Sequence, residues 1–515
     1  MSNTANRIIK NTGFLFSKML ITIGLTLYTT RIILNVLGVE DYGIYNIVGG
    51  AISMLGFLNI AMANATQRFM SFAAGEKDIN KQIRYFNISI VLHFILALIL
   101  GIILLICGYF FFNGILNIPP ERIFASKIIY GSLIISTIIT VITVPYDALI
   151  NTHENMGYYA IISIFENILK FSIALIVKES NDIDKLILYG VLMAIIPIIT
   201  MTIMRIYCHK KYKECTFNPK RYFNIYEMKK MTSFASWNLI GTTAQMSGNY
   251  GNSIIVNHFF GVTLNAALGI VSQLTGQLMT FSYNMMKALN PVIVKKEGAN
   301  ERDSMLEYSY LGCKYPFFLL AFFAIPFCIE ANFFLRIWLK NIPEWTILFF
   351  RLQMIRTLIE QTTSGLNTSI AAVGKIKKWN LSYIISHLFP LIILYGIYLY
   401  GGKPYWLFII TITFMAILSN IIKISLCIKI CNLRLNQYTK EVVLPCFICS
   451  FIALSVGIIP TFVIKETCFI RVIFTLILFY STYIPLIYHF GMQEKEKKTI
   501  KNLLNLIKKK NEKNS

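Results

Sequence analysis

The chain has 515 residues, 56% of them hydrophobic and 14% charged, against roughly 25% charged in a soluble domain. With a mean hydropathy of +0.60, this composition supplies about fourteen apolar stretches of about 20 residues and excludes a soluble enzyme or a disordered chain. The formal net charge of +23 is first a question of topology, because cytoplasmic loops retain Lys and Arg; no nucleic-acid partner is expected.

Hydropathy windows of about 19 residues predict an all-α polytopic membrane protein. Its spans fall near 11–34, 43–64, 86–109, 123–147, 158–177, 184–204, 232–257, 264–286, 309–330, 346–368, 379–400, 405–426, 438–462 and 470–489. The first span has the basic flank of a signal sequence (Arg7, Lys10) but is too long, and no A-x-A site follows, so it is read as a retained helix. The span 346–368 is the most polar, with Arg351, Arg356 and Glu360. In the tail, Ile500, Leu503, Leu504 and Ile507 recur at helical spacing among Lys501, Lys508, Lys509 and Lys510. That pattern suits a helix lying on an anionic leaflet.

An even number of spans places both termini on one side. Roughly 32 of the 48 Lys and Arg fall in connections on that side and roughly 8 on the other, so both ends are expected in the cytoplasm. The ten cysteines are scattered through apolar segments. Cys446 and Cys449 form a C-x-x-C without neighbouring His ligands, so packing is expected there and no metal.

A weak internal repeat is visible. Asn35 to Val39 closes the first span and Asn257 to Val262 the seventh, and matching Gly38 to Gly261 gives an offset of 223 residues. A similar offset brings Asn151 to Tyr158 onto Val373 to Asn380. The expected organisation is two six-span lobes, 1–225 and 226–430, then two further spans over 431–490 and a basic tail, 491–515. Paired lobes of this kind suit a transporter that exposes a site alternately by rocking.

Polar side chains in a span face protein or water, since hydrocarbon cannot satisfy them. Lys18, Thr22, Thr26 and Thr29 share a helical face; so do Asn46, Gly50, Ser53, Asn64 and Gln67, with Arg68 beside them. Gln245, Asn249, Asn252 and Ser253 form a third stripe, Gln273, Gln277, Asn284 and Lys287 a fourth. Gln353, Arg356, Glu360, Ser364 and Asn367 form a fifth. Such residues also join helices by hydrogen bonds, but as a set the stripes suit a hydrated cavity.

Basic residues outnumber acidic ones inside the spans. Glu166 lies four before Lys170 and Arg356 four before Glu360, so each pair can neutralise itself on one helix face. Lys18 and Arg31 have no such local partner, and an unpaired cation in a cavity suits a phosphate-bearing anion. Asp147, beside Pro145, is read as a plain helix end. No H-E-x-x-H, Walker-type or G-x-S-x-G motif is present, so neither enzymatic activity nor a cofactor is expected.

The stretch Tyr28-Thr-Thr-Arg-Ile-Ile-Leu-Asn-Val-Leu-Gly-Val-Glu-Asp-Tyr-Gly-Ile-Tyr45, the stretch from Asn257 to Gln273 and the connection Asn151-Thr-His-Glu-Asn-Met-Gly-Tyr158 carry a family resemblance. The chain resembles the polysaccharide-transport branch of the multidrug/oligosaccharidyl-lipid/polysaccharide exporter superfamily, the O-antigen and capsule repeat-unit flippases. Relatives often carry Arg after the N-A-A triplet, where this chain has Leu268.

The resemblance implies two six-helix lobes in a V around a central cavity, in a bacterial inner membrane. It also implies a substrate of undecaprenyl-pyrophosphate-linked oligosaccharide moved from the cytoplasmic to the periplasmic leaflet, with polysaccharide polymerase machinery downstream. The expected substrate contacts are Lys18, Arg31, Arg68, Asn249, Asn252, Gln273, Gln277, Asn284, Lys287 and Arg356. The competing expectations are a drug or organic-cation exporter of the same fold, a membrane glycosyltransferase or ligase, and a non-transporting scaffold.

Overall fold

The computed structural model describes residues 2–53, 55–115, 118–180, 183–339, 341–498 and 501. The expected tail helix around Ile500 to Ile507 lies outside the described residues. Among the described residues the chain is helical throughout, with no strand. Among the same residues, eleven helices are long and apolar enough to cross a membrane.

One of those eleven supplies more than one crossing. Ile225–Gly298 is a run of 74 helical residues, about 111 Å if straight, against a hydrocarbon core of about 30 Å. Gly261 breaks it with φ 77° and ψ −173°. Ser253 Oγ then reaches Asn265 Oδ1 at 2.5 Å, although twelve helical residues would hold them about 18 Å apart on a straight helix. The chain therefore turns back at Gly261, and spans seven and eight are its two arms. Two further crossings, residues 39–53 with Gly56–Gly75 and Thr346–Gln361 with Ser364–Val373, fall outside that set because their helical pieces are short or carry polar side chains. The total is about fourteen, as hydropathy leads one to expect.

The repeat is written in the backbone. Gly38 breaks the first helix, Ser2–Ser53, with φ 76° and ψ 173°, a conformation open only to glycine. A Cβ at Gly38 or Gly261 would meet nothing within 4 Å, so the requirement is conformational and not one of space. Lys77 (φ 59°) and Asn300 (φ 60°) are a second matched pair, separated, like the glycines, by 223 residues. Helix breaks at Thr152 to Met156 and Val373 to Lys377 form equivalent short connections.

The chain divides into two compact units, Asn11–Leu239 and the chain from Ile240 onward together with Met1–Lys10. The division falls within the long helix, whereas the sequence reading placed it at 225/226. Buried Asn87 ties the connecting loop to the first unit: its amide donates to Thr216 O at 2.7 Å and accepts from Asn218 N at 2.8 Å. Tyr85 Oη donates to Glu227 at 2.9 Å, so the connecting loop and the start of span seven belong to the first unit.

In that unit the helix Ile123–Thr152 packs on Lys185–Lys211, Ile79–Phe110 and Gly56–Gly75, around Ile44, Val48, Leu104, Ile129, Tyr130 and Leu186. In the second, Val256, Leu264, Phe349, Phe350, Leu394 and Phe408 form the core.

The two extra C-terminal spans pack into the second unit. Leu444–Gly457 and Phe469–Leu486 lie on Arg302–Ile329, and buried charges fasten them at both ends. Arg471 donates to Glu330 at 2.7 Å, with Thr475 adding a bond of 3.1 Å. Lys314, 1% exposed, donates to both oxygens of Glu496 at 2.8 Å. These charges serve packing, since a buried ion survives only when paired.

Candidate functional site

In the first unit, Lys18 is half-buried on the first helix with its ammonium 5.0 Å from the centre of the Tyr159 ring. Thr22 bonds back to Met19 O at 3.1 Å, and Thr26 meets Asn167 Oδ1 at 3.3 Å. Among the described residues no carboxylate pairs with Lys18 or with exposed Arg31. Thirteen residues of helix separate these two cations, about 20 Å along the axis. They therefore cannot grip one pyrophosphate together and stand at successive depths instead. Arg68 is packed among rings, 4.6 Å from Phe69, 4.7 Å from Phe72 and 5.6 Å from Phe234. Glu166 and Lys170 form the expected ion pair at 2.6 Å.

In the second unit, the stripes on spans seven and eight are largely open. Asn249, Gln273 and Gln277 are exposed, Asn284 and Lys287 half-buried. Hydrocarbon cannot satisfy exposed amides, so a face of this kind is suited to water or protein and not to lipid. Asn252 differs: it is buried, and its Oδ1 has no hydrogen-bond partner among the described residues. One reason spans seven and eleven approach so closely is glycine. A Cβ at Gly241 would lie 2.2 Å from Asn380 Oδ1, and one at Gly248 would lie 2.9 Å from His387 O.

Span ten carries a feature that sequence reading missed. Thr346–Gln361 ends and Ser364–Val373 begins with Thr362 and Thr363 between them. The break leaves carbonyls and hydroxyls inside the fold, and spans twelve and thirteen satisfy them. Asn420 Nδ2 donates to Ile359 O at 2.6 Å, while its Oδ1 accepts from Thr363 Oγ1 at 2.6 Å. Tyr438 Oη donates to Thr362 O at 2.6 Å. Lys423, 5% exposed, completes the network. Its ammonium donates to Thr363 Oγ1 at 3.0 Å and to Asn420 Oδ1 at 3.4 Å, and lies 5.2 Å from the Trp379 ring.

Arg356 and Glu360 sit one turn before this break as a 2.8 Å ion pair. Lys423 was visible as a charge within a span, but nothing in the local pattern tied it to span ten. The run Thr362-Thr363-Ser364-Gly365, rich in residues that bond their own backbone, was the available signal. Gly365 also permits the crossing with span nine, since a Cβ there would lie 2.1 Å from Ser309 O.

The first unit offers two cations without a carboxylate partner among the described residues; the second offers exposed amides on spans seven and eight and a broken helix held by a buried lysine. Interrupted helices are recurrent elements of transporter sites. Among the described residues no group of His, Cys, Asp and Glu could hold a metal ion.

No family model matches the chain, and no curated protein matches it. Solved structures do. A MATE structure in the bent conformation aligns with a TM-score of 0.71 at 12% identity, covering 84% of this chain and 97% of its own. An outward-facing multidrug resistance MATE family transporter of the MOP superfamily gives a TM-score of 0.67 at 12% identity, with 85% and 97% covered. A MOP superfamily transporter from Pyrococcus furiosus, described by a reverse polarity of its binding pocket that suggests a different function, gives 0.66 at 11% identity, with 85% and 97% covered. The chain is a multi-span membrane protein with the fold of the MATE transporters of the MOP superfamily.

Proposed function

We propose that this chain translocates a polyprenyl-pyrophosphate-linked oligosaccharide from the cytoplasmic to the outer leaflet by alternating access, with both termini in the cytoplasm. The observation that carries the reading is the state of the charges. Glu166, Glu360 and Glu330 are each neutralised by Lys170, Arg356 and Arg471, whereas Lys18 and Arg31 stand without a carboxylate partner among the described residues. The net polarity suits an anion, and phosphate oxygens accept charge-assisted hydrogen bonds from both cation types. Lys18 and Arg31, about 20 Å apart, act in succession, one receiving the pyrophosphate and the other meeting it at a second depth. Asn249, Gln273, Gln277 and Asn284 would bond the sugars, while the polyprenyl chain stays in lipid. Substrate moves only if it binds inward- and outward-open states unequally, or if a downstream polymerase removes it.

A second reading is supported by the neighbours' description as multidrug transporters and by one carboxylate. Asp147 accepts from Asn151 Nδ2 at 3.0 Å, and no cation pairs with it among the described residues. An organic-cation exporter would use that group.

Thermal unfolding of the purified protein separates the two. At about 100 times its dissociation constant a ligand stabilises the folded state by about 2.7 kcal/mol. Stabilisation by polyprenyl pyrophosphate but not polyprenol, lost in Lys18→Gln/Arg31→Gln, is the expected result. Stabilisation by a lipophilic cation alone, lost in Asp147→Asn, establishes the exporter instead.

A further inference from the structure

Away from the stripes, the second unit has a cleft of about 930 Å³ at the connection between spans nine and ten. On the topology proposed above, this connection lies on the outer face. The cleft is lined by Asn332, Arg336, Asn341, Trp345, Thr346 and Arg351. The short helix Ala331–Leu339 forms one wall, with Ala331 and Leu335 buried and Arg336 outward. The other wall is the start of the helix Thr346–Gln361, whose first turn has no side-chain cap.

Three observations on the cleft point to a ligand. Thr346 lines it, is 0% exposed, and its hydroxyl has no hydrogen-bond partner among the described residues; a buried hydroxyl left unbonded costs about 1–3 kcal/mol. Arg351 is fixed in place by donating to Cys328 O at 2.9 Å and to Ile329 O at 3.4 Å, leaving other N–H groups of its fork for an acceptor. Trp345 stands at the mouth with φ 70°, a rare conformation for a bulky residue, and its ring lies 6.2 Å from that of Tyr405.

Two guanidinium groups and an uncapped helix N-terminus favour negative charge. Glu344 also lines the cleft, but one exposed carboxylate leaves the balance positive. Two asparagines supply paired donors and acceptors of the kind hydroxyl groups use. An indole face beside a phenol offers a flat, apolar shelf for a ring's C–H edge.

We propose that this cleft is a binding site for an anionic saccharide, a pyranose bearing a carboxylate or a phosphate. The anionic group meets Arg336, Arg351 and the amides of the first helical turn, and the ring rests on Trp345 with its hydroxyls on Asn332 and Asn341. Binding here needs no transport, so the inference stands or falls apart from the translocation reading.

The test is calorimetric titration of the purified full-length protein with four probes: glucuronate, glucose 6-phosphate, glucose and inorganic phosphate. Both acidic sugars are expected to bind about tenfold more tightly than glucose, the scale of one charge-assisted hydrogen bond. Arg336→Gln/Arg351→Gln should remove that preference, and Trp345→Leu should weaken the sugars without changing inorganic phosphate. Equal binding of glucose, or an unchanged preference in the double variant, overturns the proposal. Inorganic phosphate binding as tightly as glucose 6-phosphate reduces the cleft to a simple anion site and also overturns it. Arg351 holds two backbone carbonyls, so if the double variant does not fold, Arg336→Gln alone carries the test, with an expected loss of about threefold.

Discussion

The two units turn at equivalent glycines yet place different chemistry on the corresponding spans four and ten. In the first, span four runs unbroken from Ile123 to Thr152, its apolar face sealed against neighbouring helices. In the second, the equivalent helix stops at Gln361 and resumes at Ser364, and Asn420, Lys423 and Tyr438 reach in to satisfy the break. The starts of these helices differ as well. Arg122 ties Asp41 and Asp184 together in the first unit, the latter at 2.6 Å. The residue 223 positions on is Trp345, which borders an open cleft. A duplicated backbone needs only a few positions with left-handed or glycine-only dihedrals; the side chains between them are free to diverge. The first unit therefore carries a continuous span four with an ion-paired start, and the second an interrupted span ten held by a polar network.

The largest effect should come from the clamp that only the second unit carries. Glu330→Gln leaves the buried Arg471 uncompensated and should cost about 3–5 kcal/mol, seen as a large fall in Tm in detergent. If the loss is small, the extra C-terminal spans are not held as described. The turn glycines come next. Gly38→Ala and Gly261→Ala should each cost about 1–3 kcal/mol, by nearly equal amounts because neither meets a neighbour. A marked inequality in Tm shift would break the equivalence of the two turns.

Arg122→Gln should cost at most about 1 kcal/mol, because the ion pairs are partly exposed and screened. Its pH dependence has a defined sign. Burial raises the Asp184 carboxyl, but the Ile187 amide, Arg122 and the Leu186 amide outweigh it, so the group lies below its ordinary 3.8. A depressed carboxyl contributes stability above its unfolded value that is lost as pH falls through the folded one. The Tm difference between wild type and Arg122→Gln should therefore hold at neutral pH and shrink as acid carries the protein below 3.8.

Lys423→Met should have the smallest effect on stability, neutral or stabilising by about 1 kcal/mol. It removes a buried charge that has no carboxylate partner among the described residues and leaves Thr363 bonded to Asn420. On the translocation reading, transport in vesicles should nevertheless fall sharply. A variant that is destabilised but fully active would make the lysine a packing element.

Much of the architecture was legible because membrane spans and turns are local signals. Fourteen apolar windows and the pairs Glu166–Lys170 and Arg356–Glu360 each depend on residues near one another in the chain, and the Gly38 and Gly261 turns are marked by short local patterns that can be matched at a fixed offset. The contacts of Lys314 and Glu330 were not legible. Both were readable only as charges in or near a span, because their partners, Glu496 and Arg471, lie more than a hundred residues away. The attachment of the loop before span seven was not legible for the same kind of reason: Asn87 binds it across a long sequence separation.

By itself the sequence determined that this chain crosses the membrane many times, that its halves repeat, and that basic groups outnumber acidic ones within the spans. Those properties follow from composition, hydrophobic periodicity and the dihedral freedom of glycine. Only the tertiary structure decided which charges are spent on packing and which remain available, and that span ten is broken around a buried lysine. Hydrogen bonds and ion pairs form between helices whose order along the chain says little about which faces meet.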